Sequence, residues 1–389
     1  MPALSVILTT YNKPRDLARS LAGMAQQTFR DFELLVCDDG SGPETRALIE
    51  GFAARADFPV HHVWQEDAGF RAARSRNNGA RRALGETLVF VDGDIIAFPD
   101  FLQVHHDAQR PGAFQAGERY LTTEEGGAAI EVAAIEDGSV YAQLPAGERR
   151  RLTSLRWKNR FYRVSGLKPE RPALMTCNCS LSLELFRAVN GLDERYEGWG
   201  QEDEDLRRRL VMQGARPDSL IGKANGLHLW HRADASFRGS RRASPNWAYY
   251  ERGFHLSRCR RGLVERALSE VRGEVLGGDP VRREALGASL GWAREPERGS
   301  PLEVALWIDD GTPTPPWPEC EVRVLLSDDP QPRGLSCDLI CGPGLPTAGG
   351  ELPGERFDPV PDAWSGAKAL RPVDASDPEA VRATLERIL

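Results

Sequence analysis

Two acidic clusters and a pair of histidines hold most of the chemistry available to this sequence. Asp92-Gly93-Asp94 closes a short apolar run at residues 87–91, so two carboxylates one residue apart stand at the tip of a buried segment. A hard divalent cation bridging to phosphate oxygens would relieve their repulsion. Alone, an Asp-Gly-Asp string is more often a turn. Here it has company: Asp38-Asp39-Gly40-Ser41 follows the run at 32–37, and Thr9-Thr10-Tyr11-Asn12 follows the run at 4–8. Farther along, Glu202, Asp203, Glu204 and Asp205 open a helical pattern that ends near Gly214. Four acids in a first turn complement the helix dipole, but spacing separates them. Glu202 and Asp203 align with Leu206 and Leu210 on the apolar face, whereas Glu204 and Asp205 meet Arg208 and Arg209 at i+4 and read as outward ion pairs. Unpaired carboxylates on an apolar face are costly in a core, so Glu202 and Asp203 read as a site. His228 and His231 follow, three residues apart; a lone histidine is more often structural.

The elements that must position these groups show in the periodicity. Apolar runs at 4–8, 32–37, 60–64 and 87–91 recur close to every 28 residues, each short and bounded by turn residues, as buried strands are. Pro14 suits a helical first turn followed by Leu17, Leu21 and Met24, and Ser41 is placed to cap a second helix carrying Leu48 and Phe52. The alternation predicts an α/β fold with a doubly wound parallel sheet, whose ligands bind beyond the carboxyl ends of the strands. The polar tips therefore converge on one edge. A dinucleotide fingerprint is excluded, because TTYNKPRD has no glycine where GxGxxG needs one.

As an ordered set, TTYN, the acidic pair in VCDDGS, QEDAGFRAARSRNNGA and VDGD resemble family 2 glycosyltransferases of the GT-A fold, particularly bacterial enzymes of the chondroitin-polymerase type, over residues 3–255. That resemblance implies a Rossmann-like nucleotide-diphospho-sugar transferase domain and a nucleotide-sugar donor, usually a UDP-sugar, bound with Mn²⁺ or Mg²⁺. It implies Thr10, Tyr11 and Asn12 in the nucleotide site, Asp39 at the uracil or ribose, Arg76 and Asn77 beside the nucleotide, Asp92 near the ribose and Asp94 on the metal. WGQEDED resembles the WGxEDxD signature of the galactosyltransferase-like C-terminal half. There the likeness makes Asp203 the catalytic base, with Glu202 helping to position the acceptor and Trp199 and Gly200 at the acceptor or donor sugar. His228 and His231 resemble the HxxH-like element that follows, which implies metal ligation by at least one; imidazole beside carboxylate suits Mn²⁺ slightly better than Mg²⁺. Asn178, in the segment TCNCS, resembles a position beside the sugar. The expected activity is inverting transfer of a hexosyl or N-acetylhexosaminyl group to a glycan or lipid-linked hydroxyl in surface polysaccharide assembly. A sugar nucleotidyltransferase and a non-catalytic nucleotide-sugar-binding module are the alternatives.

Length and charge bound the rest. The 389 residues suit two domains: GT-A at 1–262, a helical linker at 263–300, and a small C-terminal α/β domain at 301–389, for which protein contacts, ordering of an oligomer and acceptor recognition are all open roles. Strand-like runs at 304–308, 322–326 and 339–341 and a closing helix at 377–389 support the last; Asp309-Asp310 and Asp328-Asp329 read as turns. A net charge of −7 argues against nucleic acid as a partner. No apolar run approaches a membrane span and no basic leader opens the chain, so the expected address is cytoplasmic, with peripheral contact at the inner membrane face. Seven cysteines fit a reducing compartment, with Cys177 and Cys179 as small buried hydrophobes. The basic stretch 149–163, interleaved with Trp157, Phe161 and Tyr162, reads as a solvated loop first and an anionic-glycan patch second. His105-His106 reads as packing or capping a helix.

Overall fold

The four apolar runs are strands: β1 (Leu4–Thr10), β2 (Phe32–Asp38), β3 (Val60–Trp64) and β4 (Thr87–Asp92). A computed structural model of the chain describes residues 1–142, 144, 146–168, 171–232, 237, 239–252, 254–292, 302–310, 317–327, 337–342 and 369–389. The chain divides into two units, residues 1–198 with 202–235, and residues 199–201 with 236–389.

The first unit adds β5 (Ile95–Ala97), β6 (Ala113–Ala116), β7 (Tyr120–Leu121), β8 (Asn178–Ser182), β9 (Arg216–Ser219) and β10 (Gly226–His228). Its main sheet runs β3-β2-β1-β4-β8-β6-β9. β1 to β4 pair in parallel as expected, whereas β8 runs antiparallel to both β4 and β6. The sheet is therefore parallel in its first half and mixed beyond. β1, β2 and β4 are buried nearly throughout, which explains their continuous aliphatic character. Helix Pro14–Ala25 starts on its proline and buries Leu17, Leu21 and Met24. Helix Pro43–Ala53 is entered from Gly42 rather than Ser41, because the Ser41 hydroxyl instead accepts the Asn12 N–H at 2.8 Å and ties the tips of β1 and β2 together.

The stretch read as a basic loop is a helix, Ala146–Ser165. Leu152 and Leu155, three residues apart, pack with Ile135, Val140, Ile221 and Leu227, and that burial holds the segment helical despite its charge. His105 lies in helix Phe101–Asp107, buried against Ser180 and Asn178. Cys177 and Cys179 are buried as expected.

The second unit contains a parallel five-stranded sheet in sequential order: β11 (Gly273–Gly277), β12 (Leu302–Ile308), β13 (Cys320–Leu326), β14 (Leu339–Gly342) and β15 (Ala369–Pro372). A helix, Pro378–Ile388, closes it, with Asp377 accepting the Glu379 N–H at its cap. Residues 263–292, the described part of the expected linker at 263–300, are thus not a helical linker. They supply β11 and helix Pro280–Leu290, because Leu268, Val271 and Val275 join Val304, Leu306 and Val324 in one core, a pattern too short to show in the charged sequence around it. Arg266, buried, donates to both oxygens of Glu303 at 3.0 and 2.8 Å and anchors this stretch to β12. Asp328-Asp329 lie outside the described residues. Among the described residues no helix is long and apolar enough to cross a membrane.

Candidate active site

Gly93 makes the sharp turn between β4 and β5. Its N–H donates to the Thr9 carbonyl at 2.7 Å, and a Cβ at this position would stand 2.9 Å from that same oxygen, so any side chain would push the tip away from β1. Asp94 follows, and β5 then pairs antiparallel with β10, placing Ile95 opposite His228. This local pairing brings a residue from 228 to one from 94. His228 Nε2 lies 3.6 Å from Asp94 Oδ1, and His231 Nε2 lies 3.2 Å from Oδ2. One ligand atom from each of Asp94, His228 and His231 falls within 4.8 Å of the others. Among the described residues Asp94 Oδ1 is buried with no hydrogen-bond partner, which leaves a carboxylate oxygen beside two imidazole nitrogens. That donor set fits a divalent cation of the first transition row. Burial would push the Asp94 carboxyl up, but the His231 hydrogen bond and the charges of His228, Lys13 and His231 hold it well below the usual carboxylate range.

Arg76 joins this tip to the second acidic cluster. Helix Ala72–Arg82 buries its guanidinium, whose Nη2 donates to Asp92 Oδ1 at 2.9 Å and whose Nη1 lies 3.5 Å from Glu202 Oε1. Burial alone would lower the Arg76 pKa, but Asp92, Asp203 and Glu202 around it raise it, so the cation is firmly held. Asp203, in helix Glu202–Met212, accepts the Thr176 hydroxyl at 2.7 Å on Oδ1. Burial pushes Asp203 up, against Arg76 and the Thr176 bond. Burial, then the Asp203 charge, pushes Glu202 up to about 7. Both acids are thus pushed up from their ordinary values, by burial first.

Their strain is measurable. A Glu202 pKa raised in the fold means that folding takes up a proton; its stabilising share is full below the unfolded value and is lost as pH rises through about 7. Glu202→Gln should therefore melt like the wild type at about pH 5 and be more stable by about 1–3 kcal/mol at about pH 8, read from melting curves.

Asp205 corrects the spacing argument. It is not on the outward face: it is buried with Arg209, whose Nε donates to Asp205 Oδ2 at 2.7 Å and whose Nη1 donates to the Val189 and Gly191 carbonyls. The pair locks helix Glu202–Met212 to the loop before it. Glu204 does pair near the surface, with Arg207 at 2.7 Å. Asp205→Ala would strand a buried guanidinium and should cost about 3–5 kcal/mol, seen as a lower urea midpoint at unchanged slope.

The expected nucleotide residues divide into two groups. The Thr10 carbonyl accepts the Asp39 N–H at 3.0 Å, which sets the tips of β1 and β2 side by side. Tyr11 is half-exposed and donates to Asp67 at 2.9 Å. Asn12 adopts a positive φ and accepts the Gly42 N–H at 3.0 Å on its side-chain oxygen. Asp39 is buried, accepting the Arg71 N–H at 2.7 Å and the Gln65 amide. These line one edge with Arg76 and Asp92. Asn77 does not face that edge: it is wholly buried, with its amide bonded to both backbone groups of Leu192 and to Glu194. Asn178 is likewise turned inward, donating to the Glu118 and Ala224 carbonyls and bonded to His105. Both asparagines staple loops: in each, both amide N–H groups and the side-chain oxygen are already bonded inside the fold. Trp199 and Gly200 group with the second unit, where Ser244 and Asn246 donate to their carbonyls.

Sequence reasoning missed two site residues. Lys13 Nζ stands 3.2 Å from Asp94 Oδ2. Thr176 holds Asp203. A lysine at the β1 tip in a chain with 45 arginines and 5 lysines was a usable signal; the threonine offered none.

Residues 5–120 match the family model described as glycosyl transferase family 2, and residues 159–232 match one described as the N-terminal domain of galactosyltransferase. The resemblance read from the motifs is thus shown, and with it the α/β GT-A architecture. Validoxylamine A glucosyltransferase of Streptomyces hygroscopicus subsp. jinggangensis (strain 5008) is 30% identical over 248 residues, covering 59% of this chain and 56% of that protein. Chondroitin synthase of Escherichia coli is 24% identical over 242 residues, covering 56% of this chain and 34% of that one. The chain thus spans about half the length of the first relative and a third of the second. Among solved structures, a mannosyltransferase from Pyrobaculum calidifontis, in complex with GDP-Man and Mn²⁺, aligns at 18% identity with a TM-score of 0.41, covering 65% of this chain and 61% of that one.

Proposed function

We propose that this chain, whose residues 5–120 form a family 2 glycosyltransferase domain, moves a sugar from a nucleotide-sugar donor, a UDP-sugar in the first instance, to a hydroxyl of a glycan or lipid-linked acceptor, with inversion. The observation that carries this reading is Arg76, which bridges Asp92 at the β4 tip to Glu202 beside Asp203 and so joins the nucleotide edge to the acids of the second cluster.

Each side chain then has work to do. Thr10, Tyr11, Asn12 and Asp39 cradle the nucleoside, and Asp92, oriented by Arg76, meets the ribose. Asp94 with His228 and His231 would hold the metal, Mn²⁺ or Mg²⁺. When bound, that cation offsets the charge of the leaving diphosphate as a Lewis acid. Lys13 adds a second positive charge on the same side. A sugar hydroxyl is a poor nucleophile near neutral pH, and Asp203, held by Thr176, accepts its proton while the hydroxyl oxygen bonds to the anomeric carbon. The bond from that carbon to the β-phosphate oxygen breaks, releasing nucleoside diphosphate. Glu202 sits beside the base to orient the acceptor. Surface polysaccharide assembly in the cytoplasm is the setting that fits such a reaction, with the second unit available for protein contacts.

A donor screen tests this without any acceptor. With Mn²⁺ present, slow hydrolysis of one nucleotide-sugar to nucleoside diphosphate is expected by product chromatography. Pyrophosphate release instead would make the chain a nucleotidyltransferase, and binding without turnover across an acceptor panel would make it a non-catalytic module.

A further inference from the structure

Helix Ala146–Ser165 buries one side and leaves the other bare. Leu152 is buried and Leu155 packs beside it in the same cluster, while Trp157, Phe161 and Val164 follow the i, i+4, i+7 spacing of a single outward stripe. Those three are 63%, 59% and 78% exposed, and Leu167 just past the helix is 68% exposed. Large apolar side chains in such a row are costly in water and mark a contact surface.

The charge around the stripe selects the partner. Between 149 and 168 the sequence has eight basic residues and no acid, in a chain whose net charge is −7. Arg151 is turned inward to Glu148 and Glu118, and Arg163 lies 4.0 Å from Asp218. Arg149, Arg150, Arg156, Lys158, Arg160 and Lys168 remain exposed. Arg160 lies 5.7 Å over the Trp157 ring, the arrangement of a cation beside an interfacial tryptophan. A groove of about 530 Å³ runs along the Arg149, Arg156 and Arg160 side, with Tyr120, Thr153 and Asn225 also lining it. A basic rim around an apolar stripe is the pattern of a helix that lies in a bilayer interface.

We propose that this helix docks the protein on an anionic lipid bilayer, with Trp157, Phe161, Val164 and Leu167 in the headgroup layer and the flanking arginines and lysines on lipid phosphates. The inference stands apart from sugar transfer and holds whether or not the chain turns over a donor.

Vesicle sedimentation with the full chain tests it. Vesicles of phosphatidylcholine with about 30% phosphatidylglycerol should bind at least about tenfold more protein than phosphatidylcholine alone, and high salt should weaken that binding. Trp157→Glu with Phe161→Glu, both exposed and hence neutral to folding by circular dichroism, should lower binding at least about tenfold. Equal binding to the two vesicle types, or undiminished binding of the double variant, would overturn the proposal. So would a wild-type dimer in analytical ultracentrifugation that the double variant abolishes, because the stripe would then belong to a second copy.

Discussion

Asp203→Asn is expected to lower sugar transfer by roughly 10²–10⁴-fold, the usual worth of a positioned general base. Nucleoside diphosphate affinity should stay within about twofold, since Asp203 acts on the acceptor and not on the donor. The variant should also be at least as stable as the wild type: burial pushes the Asp203 carboxyl up, so an uncharged isostere removes strain rather than adding it. Lost turnover with retained folding and donor binding separates a catalytic role from a structural one. Thr176→Val offers a milder companion, because it removes the hydroxyl that donates to Asp203 Oδ1 and leaves the carboxylate in place. Strong residual transfer in Asp203→Asn would take the base assignment away from this residue.

Asp94→Asn carries the second large effect. Its carboxylate stands among Lys13, His228 and His231, and its buried Oδ1 has no hydrogen-bond partner among the described residues. Nucleoside diphosphate affinity in Mn²⁺ should fall by about 100-fold or more, beyond the cost of losing a residue that only orients a metal ligand. With chelator present, wild type and variant should bind the nucleotide alike. Calorimetric titration in both conditions distinguishes a ligand from a mere partner of Lys13, for which the loss would be the same with and without the ion. His228→Ala and His231→Ala in the same assay divide the imidazole role between them.

Much of the fold was legible because its first half obeys simple periods. The runs that became β1 to β4 are short, buried and evenly spaced, and parallel strands advertise themselves that way. The second half hid its strands: β8 is antiparallel and begins at Asn178, and β10 is only three residues long, so neither has a period to read. The basic helix was misread because its holding contacts, Leu152 and Leu155, are long-range and its sequence is mostly charge. Site residues followed the same division. Asp92, Asp94, Glu202 and Asp203 were marked by types that are costly to bury. Asp205 carries the same type, yet Arg209 one turn on neutralises it inside the protein, and spacing alone does not say which side of a helix faces in. Asn77 and Asn178 look like ligand amides in a motif and prove to be loop staples, since hydrogen-bond satisfaction is a property of three-dimensional neighbours.

The central claim is that Asp94 and the two imidazoles hold the cation that meets the donor's diphosphate, with Asp203 facing the same cleft. Anomalous scattering from manganese in crystals grown with Mn²⁺ and nucleoside diphosphate tests it most directly. The account predicts one peak about 2–2.5 Å from an Asp94 oxygen and from a nitrogen of His228 or His231, with the diphosphate on the peak's open side. A manganese peak on other residues, or a diphosphate seated away from Asp94, would contradict it.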